Sequence, residues 1–178
     1  MQEIERDNKA LHDQFKTSNP QPKKLVVAEV IGRKSDELFI DKGSSDAIKV
    51  GDVVVIKDNL IGKVSKITPH ISIVTLITHA STSFTAETSK TNTSGVIKSQ
   101  GGDSIIFDNV ILSDKLEKND TIVTKGDVDM QGGGYPPKLI VGKIVSINKK
   151  ASSLFQFAKV ESLVNLSSVQ MVFVQVEQ

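Results

Sequence analysis

Cysteine and tryptophan are both absent from the 178 residues. Without a thiol there is no disulfide, no thiolate metal site and no cysteine nucleophile, and the redox character of the compartment is left open. Aromatic residues make up only 4% of the chain, so a core must rest on Val, Ile and Leu. Three histidines are present, and His12, His70 and His79 lack the spacing of a zinc site. No charge of one sign dominates: 22 basic residues face 21 acidic ones, for a net charge of +1. Nucleic-acid binding calls for a clustered basic face, and a near-neutral total makes no electrostatic case for one, although a small patch is compatible with it. No apolar run approaches the ~18 residues of a transmembrane helix, and no secretory leader pattern is visible. What remains is an ordinary folded composition, 38% hydrophobic and 24% charged, long enough for one sizeable domain or two small ones.

MQEIERDNKALHDQF is the only strongly helical stretch. It has no Gly or Pro, and its apolar residues fall three and four apart. Met1, Ile4, Leu11 and Phe15 occupy heptad positions a, d, d and a, with Asn8 at the intervening a. That pattern predicts a coiled-coil seam of Ile4, Asn8, Leu11 and Phe15, in which a single a-position Asn favours one register and a dimer. An isolated helix of ~12–15 residues is marginal in water, so the helix is expected to extend upstream. Ser18-Asn19-Pro20-Gln21-Pro22 ends it, because proline supplies no backbone donor and restricts the residue before it. The segments expected here are a helix over 1–17 and a linker over 18–24.

From Leu25 onward the chain turns to short runs of Val, Ile, Thr and Phe separated by Gly, Asn, Asp, Ser and Pro. These predict strands near 25–31, 37–41, 53–57, 60–67, 71–77, 82–86, 94–98, 104–111, 121–124, 138–147, 153–160 and 168–176. The pattern also repeats. Ser45-Asp46-Ala47-Ile48 aligns with Ser113-Asp114-Lys115-Leu116, Asp52 with Asp120, and Leu60-Ile61-Gly62-Lys63-Val64 with Ile140-Val141-Gly142-Lys143-Ile144. Asp52 and Asp120 each precede a strand, where a short acceptor side chain fixes a turn. Gly62 and Gly142 lie inside strands and are expected to mark the corners at which a small barrel bends. The fold class is therefore mainly β: an N-terminal coiled-coil helix, then two related antiparallel β-barrels of roughly six strands each. The first is expected over 25–88 and the second over 89–178, with the last strand able to close the first barrel instead.

Catalytic patterns fail where the chemistry needs them. Gly132-Gly133-Gly134 suggests a phosphate cradle, but it leads into Tyr135-Pro136-Pro137 and a strand. No helix start follows to present its N–H groups to a phosphate. The stretch reads instead as an enlarged hairpin loop. Ser104 is followed by Ile105-Ile106 within a strand, not by the turn an oxyanion hole requires, so a serine protease is disfavoured. The aspartates mostly stand singly at turns. No cofactor or metal is expected.

A dimerising helix, a proline linker and paired β units resemble the extracytoplasmic region of the rod shape-determining MreC family. The resemblance is carried by Ile40-Asp41-Lys42-Gly43, Val50-Gly51-Asp52-Val53-Val54, Leu60-Ile61-Gly62-Lys63-Val64, Asp120-Thr121-Ile122-Val123-Thr124, Gly132-Gly133-Gly134-Tyr135-Pro136 and Leu139-Ile140-Val141-Gly142-Lys143-Ile144. Family members usually carry Gly-Val where this chain has Ala47-Ile48, and Gly where it has Asn119. They often carry a small residue and Gly where it has Pro137-Lys138. The resemblance implies a single-pass anchor upstream, a location outside the cell membrane, and a non-enzymatic scaffold of cell elongation. It implies MreB, MreD, RodA and a penicillin-binding transpeptidase as partners. A periplasmic transport adaptor also joins a coiled coil to β modules, but it would carry a helical hairpin, and only one helix is legible here.

Overall fold

The computed structural model describes residues 23–101, 104–126, 135–149 and 152–177. The expected seam residues Ile4, Asn8, Leu11 and Phe15 lie outside these, as does the Gly132-Gly133-Gly134 loop. The strands are β1 (Lys23–Lys34), β2 (Glu37–Ile40), β3 (Val53–Ile56), β4 (Asn59–Ile67), β5 (Ser72–Leu76), β6 (Ser83–Thr88), β7 (Ser94–Gly101), β8 (Ser104–Ile111), β9 (Thr121–Thr124), β10 (Ile140–Asn148), β11 (Phe155–Glu161) and β12 (Met171–Glu177). Each overlaps a stretch where apolar and β-branched residues cluster in the sequence. The only helical turn among the described residues is a 3-10 turn at Ser44–Asp46.

Pairing follows two closed circuits. In the first, β4, β3, β12, β1, β2 and β5 are neighbours in that order, and a β4–β5 ladder closes the ring. All its ladders are antiparallel, making a six-stranded antiparallel barrel. In the second circuit the order is β10, β9, β6, β7, β8 and β11, closed by a β10–β11 ladder, again antiparallel throughout. Position by position, β4 corresponds to β10, β3 to β9, β12 to β6, β1 to β7, β2 to β8 and β5 to β11.

This correspondence moves the expected boundary at β6 and follows the stated alternative for the last strand. β6, expected in the first unit, pairs with β7 and β9. β12 pairs with β1 and β3, with Val174 between Val26 and Val54. Each unit of the repeat thus gives its sixth strand to the other unit. The alternation of residues along a strand states which face is buried but not which edges it will meet, so the exchange leaves no trace in the pattern.

The repeated elements share backbone detail. Gly51 N–H donates to Val64 O at 2.8 Å and Val64 N–H to Asp52 O at 2.9 Å. The same pair recurs as Asn119 N–H to Ile144 O at 2.8 Å and Ile144 N–H to Asp120 O at 3.0 Å. The register also slips at matching points. Ile61 is passed over between the Val54–Gly62 and Val55–Leu60 pairs, as Val141 is between Ile140–Val123 and Gly142–Ile122. A second slip skips Ser65 in β4 and Val145 in β10. Each extra residue bends its strand and sharpens its twist, which lets a short sheet curl onto itself. One continuous core, including Ile40, Val54, Leu60, Ile97, Phe107 and Ile144, runs through both circuits.

Candidate functional site: the joint between two strand circuits

The circuits meet at β4 and β10, whose single parallel pairing sets Ile140 beside Asn59. Ile140 N–H donates to Asp58 O at 2.7 Å. Leu60, Ile61 and Gly62 are all buried, as are Val141 and Gly142, so successive residues on both faces of these strands are covered. The glycines serve a different closeness, the approach of β4 to β5 and of β10 to β11 within each circuit. A Cβ on Gly62 would stand 2.2 Å from Thr75 O, and one on Gly142 2.3 Å from Glu161 O. In each case the obstacle is backbone of the neighbouring strand, which has no rotamer by which to withdraw.

Tyr135 fills the other side of the joint. Its ring lies 4.6 Å from that of Phe84 in β6, and Lys63 Nζ of β4 stands 4.2 Å above it. One aromatic residue therefore touches a strand from each circuit, through a cation–π contact and a tilted ring pair. The chain behind it is tied down by Thr124, whose hydroxyl donates to Pro136 O at 2.6 Å and accepts from Leu139 N–H at 2.9 Å. The stretch that suggests a phosphate cradle in the sequence thus ends in a structural wedge.

The second connection, 162–170, carries the chain from β11 back to β12. Arg33 of β1 secures it, donating from Nη1 to Leu166 O at 2.9 Å and from Nη2 to Val169 O. Two open clefts of about 470 and 300 Å³ flank Leu166 and Ser167. Neither gathers a set of groups suited to catalysis. His79 is engaged in its own turn, with Nδ1 2.7 Å from Ser81 Oγ, and Ser104 pairs with Gly101 at the start of β8. Among the described residues no cluster of three or more His, Asp or Glu is placed to hold a metal.

Sequence reasoning missed the role of Asp120. Its counterpart Asp52 does cap its own turn, accepting from Lys49 N–H at 2.8 Å. Asp120 is buried and reaches instead into the 89–91 turn, accepting from Lys90 N–H at 3.2 Å and Ser89 Oγ at 3.3 Å. Beside it, Lys115 and Lys90 flank Glu117 at 3.1 and 3.2 Å. Their hydrogen bonds, Lys115 first, hold the Glu117 carboxyl below its ordinary range. Both lysines are well exposed, so this pair of contacts adds little to stability.

The geometry is that of a rigid, doubly connected β body, and it matches a known one. The family model for rod shape-determining protein MreC, barrel core, matches residues 26–176. The chain belongs to the MreC family. It is 26% identical to the cell shape-determining protein MreC of Haemophilus influenzae, over 91% of this chain and 50% of that protein. It therefore spans about half the length of that relative. The MreC of Pseudomonas aeruginosa superposes with a TM-score of 0.77 at 19% identity, over 85% of this chain and 98% of that one. A Helicobacter pylori MreC, solved in complex with penicillin-binding protein PBP2, has a TM-score of 0.64 at 11% identity, over 88% of this chain and 99% of that one. These two likenesses establish the shared fold.

Membership of the MreC family makes three departures interpretable. At Ala47, Asn119 and Lys138 the φ angles are 68°, 71° and 66°, all in the left-handed region that glycine enters freely. An L-residue with a Cβ pays about 1–2 kcal/mol there, least for Asn. Ala47 has no polar side chain to compensate. Ala47→Gly is therefore expected to stabilise the protein by about 1 kcal/mol, a rise in melting temperature of about 2–4 °C. A lower melting temperature would mean that the turn tolerates Ala47 without strain.

Proposed function

We propose that this chain is the extracytoplasmic part of a non-enzymatic scaffold that organises peptidoglycan synthesis during cell elongation and so maintains cell shape. The match of the MreC family over 26–176 carries this reading. A fold relative from Helicobacter pylori occurs in complex with PBP2, which supports a penicillin-binding transpeptidase as one partner. MreD, MreB and RodA are the further partners of the proposal, reached through a membrane anchor upstream of Met1. No helix among the described residues is long and apolar enough to cross a membrane. In this proposal the second circuit serves as a second barrel, built from β6 to β11, while β12 belongs to the first. The seam residues Ile4, Asn8, Leu11 and Phe15 join two copies in the full-length protein.

A scaffold needs to hold partners at fixed separation, and a body joined by two crossovers and a shared core is suited to that. The test is made in a rod-shaped bacterium depleted of its own MreC-family protein. The full-length protein should restore rod shape, and its purified extracytoplasmic region should capture the transpeptidase ectodomain. Cells that stay round, together with no capture, would overturn the proposal. Leu11→Asp in the full-length protein should reduce its self-association in analytical ultracentrifugation, and an unchanged sedimentation profile would remove the seam.

A further inference from the structure

The two crossovers between the circuits are held in different ways. The first, 77–82, is fastened to strands on both sides. Ile77 is buried, and its N–H donates to Ile61 O of β4 at 3.0 Å. Thr78 donates its hydroxyl to Asp36 Oδ1 at 2.9 Å, and its C=O accepts from the Ser99 hydroxyl of β7. Ser99 N–H reaches Thr82 O at 3.3 Å. Backbone and buried side chains of both circuits therefore fix this connection.

The second crossover has no such fastening. Within 162–169 the hydrogen bonds are local: Ser168 N–H donates to Asn165 O at 3.1 Å, Ser167 N–H to Asn165 Oδ1 at 3.2 Å, and Val164 N–H to Ser162 Oγ at 3.3 Å. Among the described residues, the bonds that tie this stretch to the rest of the protein all come from one side chain, Arg33, acting on Leu166 O and Val169 O. Regular pairing resumes at Gln170, whose C=O accepts from Val30 N–H. Two apolar anchors complete the attachment, Leu166 and Val169, which are 8% and 6% exposed. Both open clefts have Leu166 and Ser167 in their walls, so this stretch is the partition between them.

We propose that 162–169 is a strap that opens as a unit, with Arg33 as its catch, while both rings stay closed. Local opening occurs where a segment has few buried contacts and few bonds to its surroundings. Lifting the strap breaks two hydrogen bonds and withdraws two apolar side chains. It breaks no strand ladder, because β11 ends at Glu161 and β12 starts at Met171. The 77–82 crossover and the β4–β10 pairing continue to hold the circuits together. Removing the partition joins the two clefts into one groove, running from Leu38 and Leu76 of the first circuit to Ile105 of the second. The protein thus has two forms that differ at the joint alone. Anything that binds the open groove more tightly than the closed one shifts the balance toward it.

The absence of cysteine makes the strap readable by thiol labelling. Val169→Cys places one thiol at a buried anchor of the strap, and Val174→Cys places one in β12, in the core of the first barrel. The full chain carrying either change is treated with iodoacetamide. The thiol at 169 should react at least about 100-fold faster than the thiol at 174. Its rate should stay flat in low urea, since strap opening exposes little surface, while the rate at 174 rises. Arg33→Met keeps the apolar stem and removes the donors. It should speed labelling at 169 about tenfold and leave labelling at 174 unchanged. Equal rates at 169 and 174 would show that the strap leaves only when the barrel unfolds. An unchanged rate at 169 in a folded Arg33→Met protein would show that Arg33 is not the catch. Either result overturns the proposal, and if Arg33→Met does not fold, the comparison of 169 with 174 decides.

Discussion

Ending the chain after Ser168 should unfold the first barrel and spare the second circuit. β12 contributes Val172, Val174 and Val176, each essentially buried, and it is the strand that joins β1 to β3. Burial of a Val side chain is worth about 1.5–3 kcal/mol, so its removal forfeits roughly 5–9 kcal/mol. That is comparable to the whole stability of an ordinary domain, about 5–15 kcal/mol. It also leaves the edges of β1 and β3 without partners. Hydrogen exchange reads the outcome residue by residue. The amides of Val54 and Val64 should lose protection, while those of Ile97 and Phe107 should keep most of theirs. Two sequential barrels would give the reverse, with the loss confined to the C-terminal half. That result would contradict the exchanged pairing.

Gly62→Val and Gly142→Val should each destabilise the protein by about 3 kcal/mol or more, the upper range for overpacking. For a chain of this size that corresponds to a melting temperature lower by at least about 6–12 °C. The reason is the 2.2 and 2.3 Å approach of an added Cβ to Thr75 O and Glu161 O. Relief requires two strands to separate, and at both sites those strands are the ones whose pairing closes a ring. Gly51→Ala is the useful control, since a Cβ there meets nothing within 4 Å and only its φ of 95° opposes the change. Equal melting of the wild type and both valine variants would show that the strands can part without cost at these points.

Much of the fold was legible because burial writes a period into a strand. β5 alternates cleanly, with Ser72, Val74 and Leu76 inward, and so does β2, with Leu38 and Ile40 inward. The repeat was legible for a different reason. The bulge before Gly62 and Gly142 demands the same residue at the same place in both units, so its signature survives in sequence. The joint was less readable. Nothing local to Tyr135 announces that its partners are Phe84 and Lys63, which lie 51 and 72 positions away in the chain (135 − 84 and 135 − 63). Asp120 shows the same limit. Its neighbours suggest a turn cap like that of Asp52, and only the fold brings the 89–91 turn within reach of its carboxylate.

The sequence by itself determined that the described chain is β, where its strands run, and that they form a duplicated set. Each of these follows from local geometry: alternation across a strand and the turn residues between strands. Tertiary structure alone decided which strand closes which ring. β6 and β12 are equivalent members of the repeat, each an alternating strand with buried apolar residues, and either would satisfy the gap beside β3 or β9. Such a choice between matching edges is settled by where the connections 77–82 and 162–170 can reach once the core has formed. It is therefore a property of the assembled fold, which the residue pattern of either strand does not contain.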